Sequence, residues 1–282
     1  MRRFEGRTAL VTGASRGIGA ATAERLAAEG AAVVITARTL EPDSHPLGGS
    51  LRETLERCRR HGGRVEAVVA DLADADSRAT IVPQALEVFG GRLDVLVNNA
   101  AASIHGTVGE MPLKRRRLMI EINLHAPVDL AQAALPAMLE RGEGWIVNVS
   151  SRTAELAPGP PFRTTGAATS IGGYGASKAA LDRITNALAV EVAEAGIRVN
   201  TVAPRAAVLS EGADALVGAT LSDDQIESME AMVESIVALC RCEPERTGRI
   251  HISLDLLDEL GLDVWSLDAS GPHPEGRSVV RT

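Results

Sequence analysis

Short runs of aliphatic and β-branched residues alternate with longer alanine-rich stretches along most of the chain. The short runs are TALVT (8–12), AVVITA (32–37), RVEAVVAD (64–71), LDVLVNNA (93–100), GWIVNVSS (144–151), IRVNTVAP (197–204) and GRIHISL (248–254). Helical periodicity predicts helices over 17–30, 51–62, 76–90 (with a kink at Pro83), within 112–142, over 174–196 and over 222–242, the last opened by a Ser222 cap. Strands alternating with helices imply parallel pairing through helical crossovers. The expected fold class is therefore α/β, a doubly wound parallel sheet of about seven strands with helices on both faces.

Composition agrees. Apolar residues make up 45% of the 282, but aromatic residues only 2%, so the core must be built from Ala, Val, Leu and Ile. Such side chains suit strands buried on both faces. One domain over 1–267 is expected, with 268–282 (DASGPHPEGRSVVRT) as a mobile tail. A net charge of −8 argues against nucleic-acid or anionic-membrane partners, though not against an anionic ligand in a local pocket. Cys58, Cys240 and Cys242 form no disulfide framework and suggest a reducing compartment. The CRC pair at 240–242 has no companion Cys/His cluster, so it reads as helix surface and no metal is expected. The basic N-terminus lacks a hydrophobic signal core, and no apolar run approaches the roughly 20 residues of a membrane span. A cytoplasmic location is expected.

VTGASRGIG (11–19) joins the first strand to the first helix. A turn of this kind aims backbone N–H groups and the positive end of a helix dipole at a pyrophosphate, and glycines permit close approach. A carboxylate at the end of the second strand would bind the ribose 2′-hydroxyl of NAD; this chain has Ala37 and Arg38 there, with Arg16 in the turn. Guanidinium groups fork onto phosphate. The pattern favours NADP(H) over NAD(H); the alternative is two solvated surface arginines.

Tyr174 is the only tyrosine in the chain, and Lys178 follows at i+4, so both share a helix face. Alone, such a pair is usually a packed ring beside a solvated amine. Here it accompanies TGASRGIG (12–19), DL (71–72), NNA (98–100), Asn123 in EINLHAP, NVSS (148–151), YGASK (174–178) and RVNTVAP (198–204). In this order the motifs resemble the short-chain dehydrogenase/reductase family, of the Tyr-x-x-x-Lys type, over roughly residues 6–255. The resemblance implies a Rossmann fold and an oxidoreductase interconverting a carbonyl and an alcohol. It implies that Tyr174 is the general acid–base, that Lys178 binds the nicotinamide ribose and lowers the tyrosine pKa, that Ser151 hydrogen-bonds the substrate oxygen and that Asn123 holds a water. For the cofactor it implies Gly13, Ser15, Arg16, Gly17, Ile18 and Gly19 at the pyrophosphate turn and both Arg38 and Arg16 at the 2′-phosphate. Asp71 and Leu72 would meet the adenine, Asn98 and Ala100 the adenosine ribose side of the cleft, and Tyr174, Lys178 and Pro204 the nicotinamide end. Homodimers or homotetramers through the helices near 112–140 and 174–195 are also implied.

Three departures stand out. Ala101 replaces the glycine that usually follows NNA. Arg205 follows Pro204 where the family has glycine, and is expected to point to solvent; the alternative is that it narrows the nicotinamide end or faces an anionic substrate. Ser151 and Tyr174 lie 23 positions apart, so the Pro/Gly-rich stretch between them, in particular 158–173, is expected to form a lid or pocket wall. A different class of function, a catalytically silent dinucleotide-binding regulator or scaffold, would have been favoured by loss of Tyr174 or Lys178.

Overall fold

The computed structural model describes residues 2–162, 169–211, 214, 225–274 and 276. Nine strands are present among them: β1 (Thr8–Thr12), β2 (Ala32–Ala37), β3 (Val65–Val69), β4 (Val95–Asn98), β5 (Gly144–Val149), β6 (Ile197–Ala203), β7 (Ala207–Val208), β8 (Ile226–Glu227) and β9 (Ile250–Ile252). The helices are α1 (Gly17–Ala28), α2 (Leu51–Arg59), α3 (Ala75–Ala79), α4 (Ile81–Val88), α5 (Leu113–Ile120), α6 (Ala126–Arg141), α7 (Gly172–Glu191), α8 (Met229–Leu239) and α9 (Ser253–Leu260). Seven strands form one parallel sheet in the order β3-β2-β1-β4-β5-β6-β9, a doubly wound Rossmann arrangement, while β7 pairs with β8 separately. The order reverses direction between β1 and β4, and ligand crevices open at the carboxyl ends of strands at such a switch point.

The sheet is buried because both faces are covered. β4 and β5 are buried at every position. On one face Val11, Val33 and Val97 pack with Leu26, Leu51, Met232 and Ile236 from α1, α2 and α8. On the other, Leu10, Leu96 and Ile146 pack with Ile81, Leu130, Met138 and Ala189 from α4, α6 and α7. Each of the Val, Leu, Ile and Met side chains among them contributes about 1.5–3 kcal/mol on burial. α6 ends where Gly142 turns left-handed, at φ 66°, and its N–H caps the carbonyls of Leu139 and Met138.

Three expectations are corrected here. The helix over 76–90 is broken at Thr80 into α3 and α4: Pro83 has no N–H to offer Ala79, and its ring crowds that carbonyl. The helix expected over 222–242 starts instead at Met229, capped by Ser228, whose side chain accepts the Ala231 N–H; Ser222 lies outside the described residues. Cys240 and Cys242 are buried rather than on a surface, because the end of α8 packs on the face of the sheet beside Trp145 of β5, whose indole donates to the Cys242 carbonyl at 3.0 Å.

Residues 268–274, the first part of the expected tail, form a compact turn. Arg25 of α1, itself buried between Glu29 and Glu234, donates to the carbonyls of Trp265 and Ser266, both at 3.1 Å, and the His273 N–H bonds Val264 at 2.8 Å. The later residues of that stretch are outside the description, except Gly276. No described helix is long and apolar enough to cross a membrane.

Candidate active site

The switch point is built from two close approaches. Gly13 and Gly17 have φ of 66° and 55°, where side chains other than glycine are strained. A Cβ on Gly13 would lie 2.8 Å from the Ala100 Cα, and one on Gly19 2.4 Å from the Asn99 amide nitrogen and 2.5 Å from the Gly13 carbonyl. The turn after β1 thus nests against the end of β4. Arg16 precedes α1 without a side-chain cap, and the first turn carries no acid. The first N–H groups of α1 therefore point outward without intrahelical partners, at the positive end of the helix dipole. The cradle fits a dinucleotide pyrophosphate. Ser15 is buried beneath it, and Ile18 packs its side chain on the core, so these two can offer mainly backbone.

The expected adenosine contacts divide. Arg38 is exposed at the end of β2, 3.9 Å from Asp71. Arg16 is already engaged: its guanidinium donates to Gly48 at 2.6 Å, Gly49 at 3.0 Å and Leu47 at 3.3 Å, latching the 47–49 loop onto the glycine turn. Asp71 caps its own turn by accepting the Ala73 N–H, and Leu72 packs on the core. The Asn98 side chain does not line the cleft as expected. Its amide donates to Asn148 at 2.9 Å and Pro127 at 3.4 Å within the fold, because its position on β4 points it toward α6. Asn99 faces the turn instead, donating to Thr12 at 3.0 Å and Gly13 at 3.3 Å.

The catalytic candidates converge at the end of β5. A Cβ on Gly175 would come within 2.2 Å of the Thr153 carbonyl, so glycine lets the first turn of α7 lie against residues 151–154. That contact sets Tyr174 beside Ser151, with which its hydroxyl is hydrogen-bonded. Lys178, one turn on, is buried, donates to the Val149 carbonyl at 2.7 Å and stands 5.9 Å from the centre of the Tyr174 ring. Asn123 sits in a π-helical turn, Glu121–His125, between α5 and α6. Such turns re-aim side chains. Asn123 accepts the Ala102 N–H at 2.7 Å and donates to the Ser177 hydroxyl at 2.9 Å, and Ser177 bonds the Tyr174 carbonyl at 2.6 Å. All four expected residues are brought together.

Burial dominates their electrostatics. It pushes the Tyr174 phenol up to about 12, opposed by its Ser151 hydrogen bond. Burial pushes Lys178 down to about 8, against the pull of Asp182. Both shifts follow from withholding water from the charged form.

Arg205 is corrected too: its guanidinium pairs with Asp255 of α9 instead of pointing to solvent. Sequence reasoning missed its neighbour Glu227. This buried carboxylate accepts the Arg205 N–H at 2.7 Å, the Ala206 N–H at 3.4 Å and the Ser253 hydroxyl at 2.7 Å, fixing the chain just after Pro204. A lone glutamate outside every motif carried no signal of this role. The irregular approach to Tyr174 is present, with Leu156 and Phe162 exposed; its residues 163–168 lie outside the described set. No cluster able to hold a metal occurs among the described residues.

The fold and this site define a class: a dinucleotide-binding α/β domain with a Ser-Tyr-Lys cluster at its switch point. Comparison with known proteins narrows it. The profile of the short chain dehydrogenase family matches residues 7–215. The oxidoreductase UcpA of Salmonella typhimurium (strain LT2) is 32% identical over 252 residues, covering 89% of this chain and 88% of that protein. Hydroxysteroid dehydrogenase-like protein 2 of Danio rerio is 32% identical over 275 residues, covering 96% of this chain; the chain spans only 63% of that protein's length. A metagenomic short-chain oxidoreductase solved in complex with NADP superposes with a TM-score of 0.70 at 29% identity, covering 88% of this chain and 97% of that one. The chain belongs to the short-chain dehydrogenase family of oxidoreductases.

Proposed function

We propose that this protein is an NADP(H)-dependent oxidoreductase that interconverts a ketone or aldehyde and an alcohol, with Tyr174 as general acid–base. The observation that carries the reading is the convergence of Ser151, Tyr174 and Lys178 at the end of β5, beside the glycine cradle of α1.

A bound nicotinamide supplies or accepts the hydride. In the reductive direction Tyr174 gives its phenolic proton to the oxygen of the carbonyl being reduced. Ser151 donates a hydrogen bond to the same oxygen as negative charge develops there. Lys178 offers its ammonium to the nicotinamide ribose and, once turned from Val149, favours the phenolate that must be reprotonated. Asn123 fixes the backbone at Ala102 and Tyr174 and would hold a water linking Lys178 to solvent. Gly13, Gly17 and Gly19 admit the pyrophosphate. Arg38, whose charge is not consumed inside the fold, meets the 2′-phosphate, and Arg16 serves beside it through the loop it latches. NADP bound in a structural relative supports this choice over NAD.

Exposed Leu139 on α6 and Ile184 and Val190 on α7 support assembly as a homodimer or homotetramer through those helices. Three free, buried cysteines suit a reducing cytoplasm. The test is a panel of ketones with NADPH, followed by absorbance of the reduced cofactor. Turnover that vanishes in Tyr174→Phe while NADPH binding persists supports the reading. Full activity in that variant would falsify it.

A further inference from the structure

The face of the sheet that α7 covers carries a polar row. Asn148 marks it, since its amide donates to the Thr185 hydroxyl of α7 at 2.8 Å. Thr201 stands opposite Asn148 in the register of β5 and β6, and Ser150 lies two positions beyond it, so strand alternation turns both toward the same helix. The side chain they meet is Asp182, one turn after Lys178 and on the same helix face. Asp182 is 7% exposed, and Ser150 and Thr201 are buried. Asn148 and Thr185 close their contact with a hydrogen bond. By contrast, Oδ1 of Asp182 and the hydroxyls of Ser150 and Thr201 have no partner in hydrogen-bond geometry.

A helix resting on a sheet has no use for such an acid. Threonine at position 182 could close the contact as Thr185 does, whereas a carboxylate withheld from water is costly unless a charge answers it. Burial raises the Asp182 pKa, with the two hydroxyls and Lys178 opposing it. Burial lowers Lys178 to about 8, with Asp182 opposing it. Each is thus the other's counter-charge. The other charged groups nearby are solvated, engaged or turned away. On α7 Arg183 is exposed, beside a cavity of about 410 Å³ that Asp182, Ala154 and Ile250 also line. In the turn after β5, Arg152 pairs with Glu155 at 3.0 Å. On β9, Ile250 is the partner of Thr201, and the next residue, His251, points to the opposite face, among Arg246, Arg249 and Glu259.

We infer that Asp182 is a positioning residue for the reaction: seated against the sheet one turn beyond Lys178, its carboxylate keeps that lysine an ammonium, the form on which Tyr174 relies. This rests on the reading of Tyr174 as acid–base. Asp182 acts through Lys178 rather than on the substrate, and Lys178 is tied to Val149, the residue before Ser150. Without Asp182 the buried amine sheds its proton at lower pH, and a neutral amine no longer favours the phenolate.

Lys114 and Lys178 are the only lysines in the chain, so a Lys114→Arg background leaves a single lysine. NMR of protein labelled with ¹³C at lysine Cε then reads Lys178 directly, without substrate or cofactor. It should titrate near 8. Asp182→Asn should move the titration down by about one pH unit, and Asp182→Glu, which keeps the charge, should return it. The alkaline limb of kcat/KM for ketone reduction should move by the same interval, while the rate on the acid side of that limb is kept. Should Asp182→Asn fail to fold, Asp182→Thr is expected to give the same shift. An unmoved lysine titration overturns the inference. So does a loss of activity that is equal at every pH, the mark of a merely structural residue. A titration that moves while the kcat/KM profile stays also overturns it, since the reaction would not use the charge that Asp182 maintains. Turnover of no ketone counts against the proposed function instead, and the lysine titration then decides this inference separately.

Discussion

The Lys178 ammonium donates to the carbonyl of Val149, the last residue of β5, at 2.7 Å. In this arrangement a buried cation is tied to the strand end rather than to the tyrosine one turn before it. Burial holds Lys178 near 8, below its ordinary value of 10.5. The unfolded chain therefore binds more protons between those limits, and this residue's contribution to stability improves as pH rises from 8 to 10.5. Below pH 8 its burial costs up to about 3 kcal/mol. Lys178→Met should remove that cost, offset by about 1 kcal/mol for the hydrogen bond lost at Val149. Urea midpoints at pH 7 and pH 10 check this: the variant's advantage over wild type should shrink at the higher pH. A constant difference would exclude the shifted lysine.

Because Tyr174 is the only tyrosine, tyrosinate absorbance near 295 nm reports this one hydroxyl. Without nucleotide it should stay protonated through pH 10 and titrate near 12, and Ser151→Ala should move it higher still, since the Ser151 hydrogen bond opposes the rise. Saturating NADP should lower it if the cofactor draws Lys178 toward the ring. Tyr174→Phe should reduce turnover by about 10²–10⁴, the usual contribution of a positioned acid–base, and abolish the absorbance change.

Much of this site was legible before any coordinates, for a physical reason. Strand period, glycine turns and the i, i+4 pair are local properties, so β1 and β2 match their expected limits and Tyr174 meets Ser151 and Lys178 as read. What was illegible depends on distant segments meeting. Arg205 and Asp255 are 50 positions apart, and no local pattern says that α9 will return beneath the loop after β6. The burial of Cys240 and Cys242 depends likewise on Trp145. Asn98 and Asn99 were adjacent and chemically identical; only strand parity decided which faced the cleft. Ser228 took the cap expected of Ser222 because Ile226 and Glu227 pair with β7 instead of entering the helix.

Arg38 and Arg16 should separate on substitution. Arg38→Ala is expected to weaken NADP(H) about 10–100-fold while NAD(H) is unchanged, because only the proposed 2′-phosphate contact is lost. Arg16→Ala releases the carbonyls of Leu47, Gly48 and Gly49 and should weaken both cofactors alike, by loosening the loop against the glycine turn. Dissociation constants for the four pairs, measured by cofactor fluorescence, check the split. Weakening of NADP(H) alone in Arg16→Ala would show direct phosphate contact instead.

Glu227 offers the sharpest separation of the two halves of the cleft. Its carboxylate collects the N–H groups of Arg205 and Ala206 and the Ser253 hydroxyl, and burial raises its pKa against those bonds. Glu227→Ala leaves buried donors unpaired, each costing about 1–3 kcal/mol, and frees the segment after Pro204. The proposed nicotinamide end should suffer: NADPH affinity is expected to fall about tenfold. The adenosine end, proposed to rest on α1 and Arg38, should not, so 2′,5′-ADP should bind as it does to wild type. Glu227→Gln keeps one acceptor oxygen for the backbone and should recover most of the loss. Equal weakening of NADPH and 2′,5′-ADP would mean that Glu227 supports the fold as a whole rather than the chain beside the nicotinamide.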